Sequence, residues 1–343
     1  MKILVLDYAR DSGGAYTISE YINHEVINDK DNTWLWITSD FDIKTKKNIY
    51  NLKLSFIKKN LFNRLIFEKF YAKKIVKDFK PDLILSLQNL GLGDLNIPQV
   101  LYIHQAIPFI DNKIVELDGI KKKIKMNIIK KLLNRDLKNA EYIIVQTKYM
   151  KNLLIEYNDK IVNILPSIFL DDPEEHCGSQ NFIYPTNSEK YKNFNLIIKV
   201  AEELKAKKIP STIFITLQGD ENDNIKSVLK QVNKESLPIK FIGTQSKDSL
   251  KNLYRKNNLI FTSKVESLGL PLLEGMHYGC KILALETEFA KEVLENYDKK
   301  YLFTESSLSN KIKELFDSKK STLGKNIESF SFLETIKKEK IID

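Results

Sequence analysis

Short apolar segments alternate with helical patterns along the whole chain, and this alternation constrains the fold more than any other feature. The predicted strands of the first half are 3–8, 33–38, 53–57, 83–87, 100–104, 142–146 and 161–165. Those of the second half are 181–184, 212–217, 240–242, 259–262, 281–285 and 300–303. Several are solid apolar blocks, which is typical of parallel strands covered on both faces. The pattern therefore predicts βαβ units and parallel sheets.

The length of 343 residues allows two domains of ordinary size. A proline- and acid-rich stretch at 166–180 interrupts the rhythm and leaves enough residues on each side for one Rossmann-like sheet. We therefore predict an α/β architecture of two doubly wound parallel-sheet domains, 1–165 and 166–325. Ligands of such sheets bind at the carboxyl ends of the strands, so two facing domains would enclose a cleft.

Cysteine usage and hydropathy exclude several classes of protein. The chain has 2 cysteines, too few for a disulfide framework or a cysteine-based zinc cluster. Lysines interrupt every long apolar stretch before it reaches the roughly 18 residues that span a bilayer. The first residues turn acidic at Asp7, too early for a signal peptide. We expect a cytoplasmic protein, soluble or bound peripherally to the inner face of the cytoplasmic membrane.

The net charge of +9 lies almost entirely in the first half, where residues 1–165 carry 27 Lys+Arg against 19 Asp+Glu. Two blocks, 53–80 and 119–138, concentrate it. In the second block an apolar helical face is surrounded by lysines; its members are Ile120, Ile124, Ile128, Leu132 and Leu133. This face either packs on the sheet like that of an ordinary surface helix or lies on an anionic membrane. No recognition module accompanies the charge, which disfavours nucleic-acid binding.

The stretch 261–279 is the most informative motif of the second half. It is predicted to be a strand, a glycine-containing loop and a short helix, with Pro271 at the first helical position and Gly279 just past the end. Loop amides would converge at the helix N-terminus, where an anion is favoured. Glu266 and Glu274 lie eight positions apart, before the loop and inside the helix. Each of them, taken alone, is also explained as an ordinary loop or helix acid.

Together, these residues resemble the E-x7-E signature of the retaining GT-B glycosyltransferases of family 4. The resemblance implies that Glu266 contacts the hydroxyls of the transferred sugar and that Glu274 binds the nucleotide ribose. It also implies that the loop amides hold the pyrophosphate; these belong to Ser267, Leu268, Gly269 and Leu270.

Further segments are similar to the same family. Gly13 and Gly14 follow the first strand, where glycine allows close approach of a ligand. His104 ends a strand, at a place where the resemblance puts it near the reacting centre. The segment ending at Gly243 is typical of the donor-binding domain, and the resemblance implies a donor contact there. The last helix, about 326–343, is expected to cross back and pack on the first domain.

One position departs from the family pattern. Many members carry an arginine about six residues before a lysine, and the two neutralise the diphosphate of the donor. Here Lys192 matches the lysine, whereas Thr186 falls roughly at the arginine. Lys190 is a candidate substitute.

Metal-dependent chemistry has weaker support in the sequence. Asp40-Phe41-Asp42 fits the D-x-D pattern of metal-dependent glycosyltransferases, but it lies in the presumed acceptor domain and is interpreted as a loop. A hard cation needs more converging oxygens. The four histidines are too far apart in sequence to indicate a metal site; they are His24, His104, His176 and His277. No Walker A or G-x-G-x-x-G sequence points to a kinase or a dehydrogenase.

The sequence therefore predicts a glycosyltransferase that moves a sugar from a nucleotide-sugar to a saccharide acceptor, with retention and without metal or other cofactor. The resemblance is to members that assemble bacterial surface polysaccharide, capsule or O-antigen, so the acceptor is either free or lipid-linked. The expected catalytic residues are His104, Lys192 and Glu266. Two alternatives stay open, a catalytically silent GT-B partner subunit and a GT-B epimerase or phosphorylase. The sugar, the base, the linkage and the oligomeric state are not specified by these patterns.

Overall fold

The computed structural model describes residues 1–9, 14–93, 95–115, 120–165, 175–178, 180–319, 323–327 and 330–342. The chain divides into two compact units. Unit 1 comprises Met1–Phe109, Gly119–Leu170 and Glu328–Asp343, and unit 2 comprises Ile110–Asp118 and Asp171–Ile327. Most of the predicted boundary at 166–180 lies outside the described residues. That residues 1–165 form the acceptor-side domain and residues 166–325 the domain that binds the nucleotide-sugar stays a prediction.

A seven-stranded parallel sheet forms the centre of unit 1, with the order β3-β2-β1-β4-β5-β6-β7. Its strands are β1 Lys2–Asp7, β2 Thr33–Thr38, β3 Ile49–Lys53, β4 Leu83–Ser86, β5 Gln99–Tyr102, β6 Tyr142–Val145 and β7 Ile161–Asn163. Inner strands such as β4 are buried along their whole length, as parallel strands covered on both faces must be. This confirms the doubly wound parallel sheet predicted for the first half.

Helices cover both faces of this sheet. The helices of unit 1 are α1 Gly14–Val26, α2 Leu61–Ile66, α3 Ala72–Phe79, α5 Ile120–Asn139, α6 Lys148–Leu154 and, near the end of the chain, the helix Phe332–Lys338; the short helix α4 Asn112–Val115 belongs to unit 2. One apolar cluster joins α1 and the helix Phe332–Lys338 to one face of the sheet, and another joins the segment around Phe67 to the opposite face.

Unit 2 is built on a six-stranded parallel sheet with the order β10-β9-β8-β11-β12-β13. Its strands are β8 Phe182–Tyr184, β9 Ile213–Ile215, β10 Ile239–Phe241, β11 Asn258–Phe261, β12 Ile282–Leu285 and β13 Lys300–Phe303. Its helices are α7 Phe194–Ala206, α8 Asp223–Lys234, α9 Lys247–Lys256, α10 Leu270–His277, α11 Glu288–Val293 and α12 Leu308–Asp317; the helix Phe332–Lys338 is α13. The predicted architecture of the second half is confirmed.

The strand predicted at 53–57 is wrong. The structure places β3 at Ile49–Lys53, where only Ile49 is fully buried and Tyr50 is exposed at the sheet edge. An edge strand with so few buried side chains leaves a weak apolar pattern. The stronger apolar residues that follow belong to a loop and a short 3-10 turn, from which Ile57 packs into the core.

Of the two interpretations of the isoleucine face of α5, packing on the sheet does not hold for its first half. Ile124 and Ile128 are 54% and 40% exposed, whereas Leu133 is buried. The 20 residues of α5 extend about 30 Å, while the four-residue strands beside it extend only about 13 Å. The first turns of α5 therefore project beyond the core that could have covered them.

Candidate active site

The sheet of unit 2 has a topological switch point between β8 and β11. These strands are hydrogen-bonded neighbours, with Leu259 opposite Ile183, but the chain proceeds from them toward opposite edges of the sheet. The loops that leave their carboxyl ends therefore diverge and open a crevice, where doubly wound sheets bind their ligands. The segments at this edge are 185–193 and 262–269, which contain the predicted donor-binding residues Lys192 and Glu266.

Lys192 ends a 3-10 turn and is held by its backbone. The hydroxyl of Tyr184 donates to the Lys192 carbonyl oxygen at 2.5 Å, and the Thr262 hydroxyl donates to the same atom at 2.8 Å. Burial raises the pKa of Tyr184 to about 12, so this donor stays protonated. Asn193 then takes a left-handed conformation, with φ of 62°, from which α7 begins. These two hydrogen bonds and the start of α7 fix the backbone from which the Lys192 side chain extends.

Lys192 and Glu266 form an ion pair at the switch point, with 2.5 Å between Nζ and Oε1. Only 11% and 18% of their side chains are exposed. Burial opposes the positive charge, but attraction to the Glu266 carboxylate and, to a smaller extent, to Tyr191 and Tyr184 together raises the pKa of Lys192 above its ordinary value. Two residues 74 positions apart in sequence thus present one cation and one anion at the same edge.

Glu274 lies in α10 and is half-buried. Burial raises the pKa of its carboxyl to about 7, although the Tyr254 hydroxyl, which donates to Oε2 at 2.6 Å, favours the ionised form. The Tyr254 ring is itself buried and stacks on Tyr278 at 5.7 Å. Glu274 therefore titrates near neutral pH in a fixed orientation.

The loop before α10 turns through Gly269, whose φ of +73° favours glycine. A Cβ there would lie 3.2 Å from Leu272 Cδ1. The helix begins at Leu270, so residues 267–270, which include Ser267, Leu268 and Gly269, form the loop and the first position at its positive N-terminal end. Gly243, after β10, has the same φ, and a Cβ there would lie 2.5 Å from Gln218 Nε2.

Thr186 brings no charge to the position of the family arginine. Its backbone amide donates to Thr216 Oγ1 at 3.0 Å, and its hydroxyl donates to the Asn187 carbonyl oxygen at 3.0 Å. Lys190 lies in the same turn as Lys192 and is half-buried. That Lys190 substitutes for the arginine stays a prediction.

His104 follows β5 in unit 1 and is fixed on several sides. Its ring stacks on Tyr102 at 4.4 Å, and Nε2 lies 3.0 Å from the Leu87 carbonyl oxygen. Burial lowers the pKa of His104 to about 4, so the ring is neutral at physiological pH. Nε2 then donates to Leu87, which leaves Nδ1 as an acceptor. Gly14 begins α1 in the same unit, whereas Gly13 lies outside the described residues.

The D-x-D carboxylates are exposed and face lysines. Asp42 pairs with Lys53 at 2.7 Å and Asp40 lies 3.9 Å from Lys58, with 76% and 60% of the acidic side chains exposed. Within the described ranges, no group of three or more His, Cys, Asp or Glu side chains could hold a metal ion. The same part of the chain contains no helix of the length and hydropathy that a membrane span requires.

Sequence analysis missed the side chains that fix the predicted site residues. Tyr184 and Thr262 hold Lys192, and Tyr254 holds Glu274 from 20 positions away. Tyr184 and Thr262 end predicted strands, and Tyr254 lies in a predicted helical stretch, so no local pattern gives any of them a role in the site. A buried hydroxyl needs a hydrogen-bond partner, and this rule is the signal that could have found them.

The part of the chain that matches a known family coincides closely with the main segment of unit 2. The profile of the family described as Glycosyl transferases group 1 matches residues 169–328. A Haemophilus influenzae protein described as an uncharacterized glycosyltransferase is 26% identical over 288 residues, which cover 80% of this chain and 76% of the relative.

Two solved structures show the similarity of fold over nearly the whole chain. HepE of Anabaena, solved in complex with UDP and glucose, superposes with a TM-score of 0.67 at 17% identity, covering 94% of this chain and 91% of HepE. WaaG, a glycosyltransferase involved in lipopolysaccharide biosynthesis, superposes with a TM-score of 0.65 at 10% identity, covering 93% and 91%.

Proposed function

We propose that the chain, whose residues 169–328 match the group 1 glycosyltransferases, is a family 4 enzyme with the GT-B fold. It transfers a sugar from a nucleotide-sugar to a saccharide acceptor with retention and without a metal ion. The observation that carries the proposal is the ion pair of Lys192 and Glu266 at the switch point of unit 2, on the loop that leads into α10 and Glu274. The arrangement offers a cation for a diphosphate and carboxylates for hydroxyl groups.

The chemical step breaks the bond between the sugar C1 and the diphosphate oxygen and forms a bond from C1 to an acceptor oxygen on the same face. The proton of the acceptor hydroxyl leaves with the departing diphosphate. Negative charge grows on that diphosphate, and fixed donors at this position lower the barrier most effectively. Lys192 and the amides of residues 267–270 are proposed to supply them, together with Lys190. Gly13, Gly14 and Gly243 are proposed to let the backbone approach the donor.

His104 is proposed to contact the donor sugar or its phosphate near the reacting carbon. Because its ring is neutral, it offers hydrogen bonds rather than charge.

HepE of Anabaena was solved with UDP, which makes UDP-sugars the first donors to test. The resemblance to polysaccharide-assembling members and the fold shared with WaaG favour a lipid-linked saccharide acceptor at an anionic membrane, contacted through the lysine-rich blocks 53–80 and 119–138.

The experiment is a panel of nucleotide-sugars, first by thermal stabilisation and then by donor hydrolysis. A ligand that binds only the folded state raises the melting temperature. Glu274→Ala should weaken binding of the nucleotide diphosphate by about 1.5–3 kcal/mol. Glu266→Ala should lower turnover of the whole donor while binding of the bare diphosphate stays nearly unchanged. Glu295→Ala, an exposed acid of the same unit, is the matched control.

The outcomes separate the alternatives. A catalytically silent partner subunit, suggested by Thr186 in place of arginine, should neither bind nor hydrolyse a donor. An epimerase or phosphorylase should bind a nucleotide-sugar or sugar phosphate but transfer nothing to a saccharide. Activity should survive EDTA and the Asp40→Asn change; loss in EDTA with recovery in manganese contradicts the metal-free mechanism.

A further inference from the structure

The helical segment 61–79 of unit 1 packs apolar side chains such as Phe67 and Ala72 into the core but also exposes large apolar side chains on its outer side. It runs through α2, a π-helical turn at Phe67–Tyr71 and α3. The ion pair of Arg64 and Glu68 points inward, with 2.7 Å between Nε and Oε1 and 11% of each side chain exposed. Large apolar side chains point outward instead. Their exposed fractions are 68% for Phe62, 45% for Leu65, 61% for Phe70 and 47% for Tyr71. An ordinary surface helix has mainly polar and charged side chains on its outer side.

Helix α5 presents a second exposed apolar stretch on the same side of the sheet. The connections from β3 to β4 and from β5 to β6 both cross toward the β7 edge, and right-handed crossovers place their helices on one face. The loop that contains Gly91 connects the inner sides of the segment 61–79 and α5. Arg64 Nη2 donates to the Gly91 carbonyl oxygen at 3.1 Å, and the Gly91 amide donates to Asp136 Oδ2 at 2.9 Å. The exposed Ile124 and Ile128 therefore belong to the same face of unit 1 as Phe62 and Phe70.

This face is positively charged because most of the acids in its helices form ion pairs with arginines beneath the surface. Arg64 is paired with Glu68, and Arg135 is paired with Asp136 at 2.7 Å. Asp78 is the acid left facing solvent in segments 61–79 and 120–139. The exposed lysines among these residues include Lys69, Lys73, Lys74, Lys77, Lys122, Lys123 and Lys125.

We propose that this face, defined by Phe62, Leu65, Phe70, Tyr71, Ile124 and Ile128 and called here the docking face, binds an anionic lipid bilayer by inserting its apolar side chains at the interface. The inference deepens the membrane contact of the proposed function and rests on it. Aromatic side chains ringed by lysines match a bilayer surface, where rings enter the acyl boundary while ammonium groups reach the headgroups. A second copy of this chain fits less well, since it would bring two sets of lysines together.

Insertion makes a different prediction from electrostatic adsorption. Adsorption through lysines should disappear when the screening length falls from about 10 Å at 0.1 M salt to about 3 Å at 1 M. Burial of Phe62 and Phe70 is not screened. We therefore expect the full-length protein to sediment with vesicles containing phosphatidylglycerol, to bind less at high salt, and to keep a salt-resistant fraction.

Two variants separate the components. Phe62→Ser with Phe70→Ser should abolish the salt-resistant fraction, reducing affinity by about tenfold for each side chain. Lys73→Gln, Lys74→Gln and Lys77→Gln together should remove much of the salt dependence. The matched controls lie in unit 2: Leu323→Ser removes an exposed apolar side chain, and Lys226→Gln, Lys230→Gln and Lys234→Gln remove helical lysines.

A fluorescence measurement reports insertion directly. Trp34 and Trp36 are the chain's tryptophans and both are fully buried, so the Phe70→Trp variant adds one exposed reporter. Its emission should shift to the blue with anionic vesicles, and lipids brominated on the acyl chain should quench it. Equal binding by the wild-type and serine variants, or vesicle binding without quenching, overturns the proposal. Self-association of the wild type that the serine variant lacks, without vesicle binding, assigns the face to a second copy and also overturns it.

The glycosyltransferase proposal is tested separately from the docking face. Thermal stabilisation by a nucleotide diphosphate and hydrolysis of a soluble donor should be unchanged in the serine variant. If they are normal and vesicle binding is absent from the wild type, only the docking proposal fails. If vesicle binding is as expected and no nucleotide binds, only the donor site fails.

Discussion

The ionised carboxylate of Glu274 lowers the free energy of unfolding, and the size of this effect depends on pH. The pKa of its carboxyl is raised from 4.5 to about 7, so the folded state keeps a proton that the unfolded state loses between these values. Stability is therefore lost as the pH rises through this window. Glu274→Gln removes the charge and can still accept from Tyr254. It should change the free energy of unfolding little at about pH 4 and raise it by about 1–3 kcal/mol at pH 8.

Denaturant unfolding at several pH values measures this effect, and nucleotide binding gives its functional counterpart. The same Glu274→Gln variant should bind a nucleotide diphosphate more weakly at pH 8, because a neutral amide is a poorer acceptor for ribose hydroxyls. Tyr254→Phe removes the hydrogen bond that favours the ionised carboxyl, so the midpoint of the pH dependence of binding should move upward. A pH-independent stabilisation, or an unmoved midpoint, contradicts the assignment.

The ion pair of Lys192 and Glu266 should behave as a unit. Removing one partner leaves the other charge poorly solvated, so Lys192→Met and Glu266→Gln should each lower the free energy of unfolding, by roughly 3 kcal/mol. The double variant should be more stable than at least one single variant. A double-mutant cycle by urea unfolding measures the coupling. The exposed pair of Lys199 and Glu305 is the control and should show no measurable coupling.

At the residue scale, sequence predicts which side chains to examine but not their partners. The spacing of Glu266 and Glu274 and the match at Lys192 are visible in the chain itself. The contact between Lys192 and Glu266 depends on β8 and β11 being neighbours, a matter of strand order that no local pattern encodes. The hydrogen bond from Tyr254 depends in the same way on how α9 packs beside α10.

At the element scale, helix α10 offers a test of the anion site through its two ends. Gly269 precedes it with φ of 73° and Gly279 follows it with φ of 71°. Alanine in a left-handed conformation costs about 1–2 kcal/mol at either position. Gly269→Ala should also lower affinity for a nucleotide diphosphate, because it moves the amides of the N-terminal loop. Calorimetric titration of Gly269→Ala and Gly279→Ala with the nucleotide diphosphate checks this. If the two variants lose the same affinity, the loop before α10 does not bind the donor.

Most strands could be predicted because a parallel strand that is buried on both faces consists of consecutive apolar residues in the sequence. All thirteen predicted strand regions contain or adjoin a strand of the structure. The prediction was least accurate at β3, an edge strand with one fully buried residue. The sequence also left open whether Ile124 and Ile128 are covered, since periodicity shows that residues share a face but not whether any core reaches it.

At the scale of the whole molecule, the two sheets share one order of strands, apart from an additional strand in unit 1. In both units the first strand pairs with the second and the fourth, so each has a switch point. The sequence shows no internal repeat, and the polar residues at the two edges differ in kind: a neutral histidine in unit 1 and an ion pair in unit 2. A shared fold therefore leaves the chemistry to be decided by individual side chains.

The end of the chain contributes to the core of unit 1 although unit 2 precedes it in sequence. Phe332 of α13 is fully buried and its ring lies 6.3 Å from that of Tyr102, while the Glu25 carboxylate accepts from the Leu333 amide at 2.8 Å. Phe332→Ala should therefore cost about 3–5 kcal/mol in unit 1 alone. Hydrogen exchange should accelerate in β1 and α1 and stay unchanged in unit 2, where nucleotide binding should persist. Phe330→Ala, with 59% of the side chain exposed, should have little effect. Acceleration throughout both units would show instead that the two units unfold together.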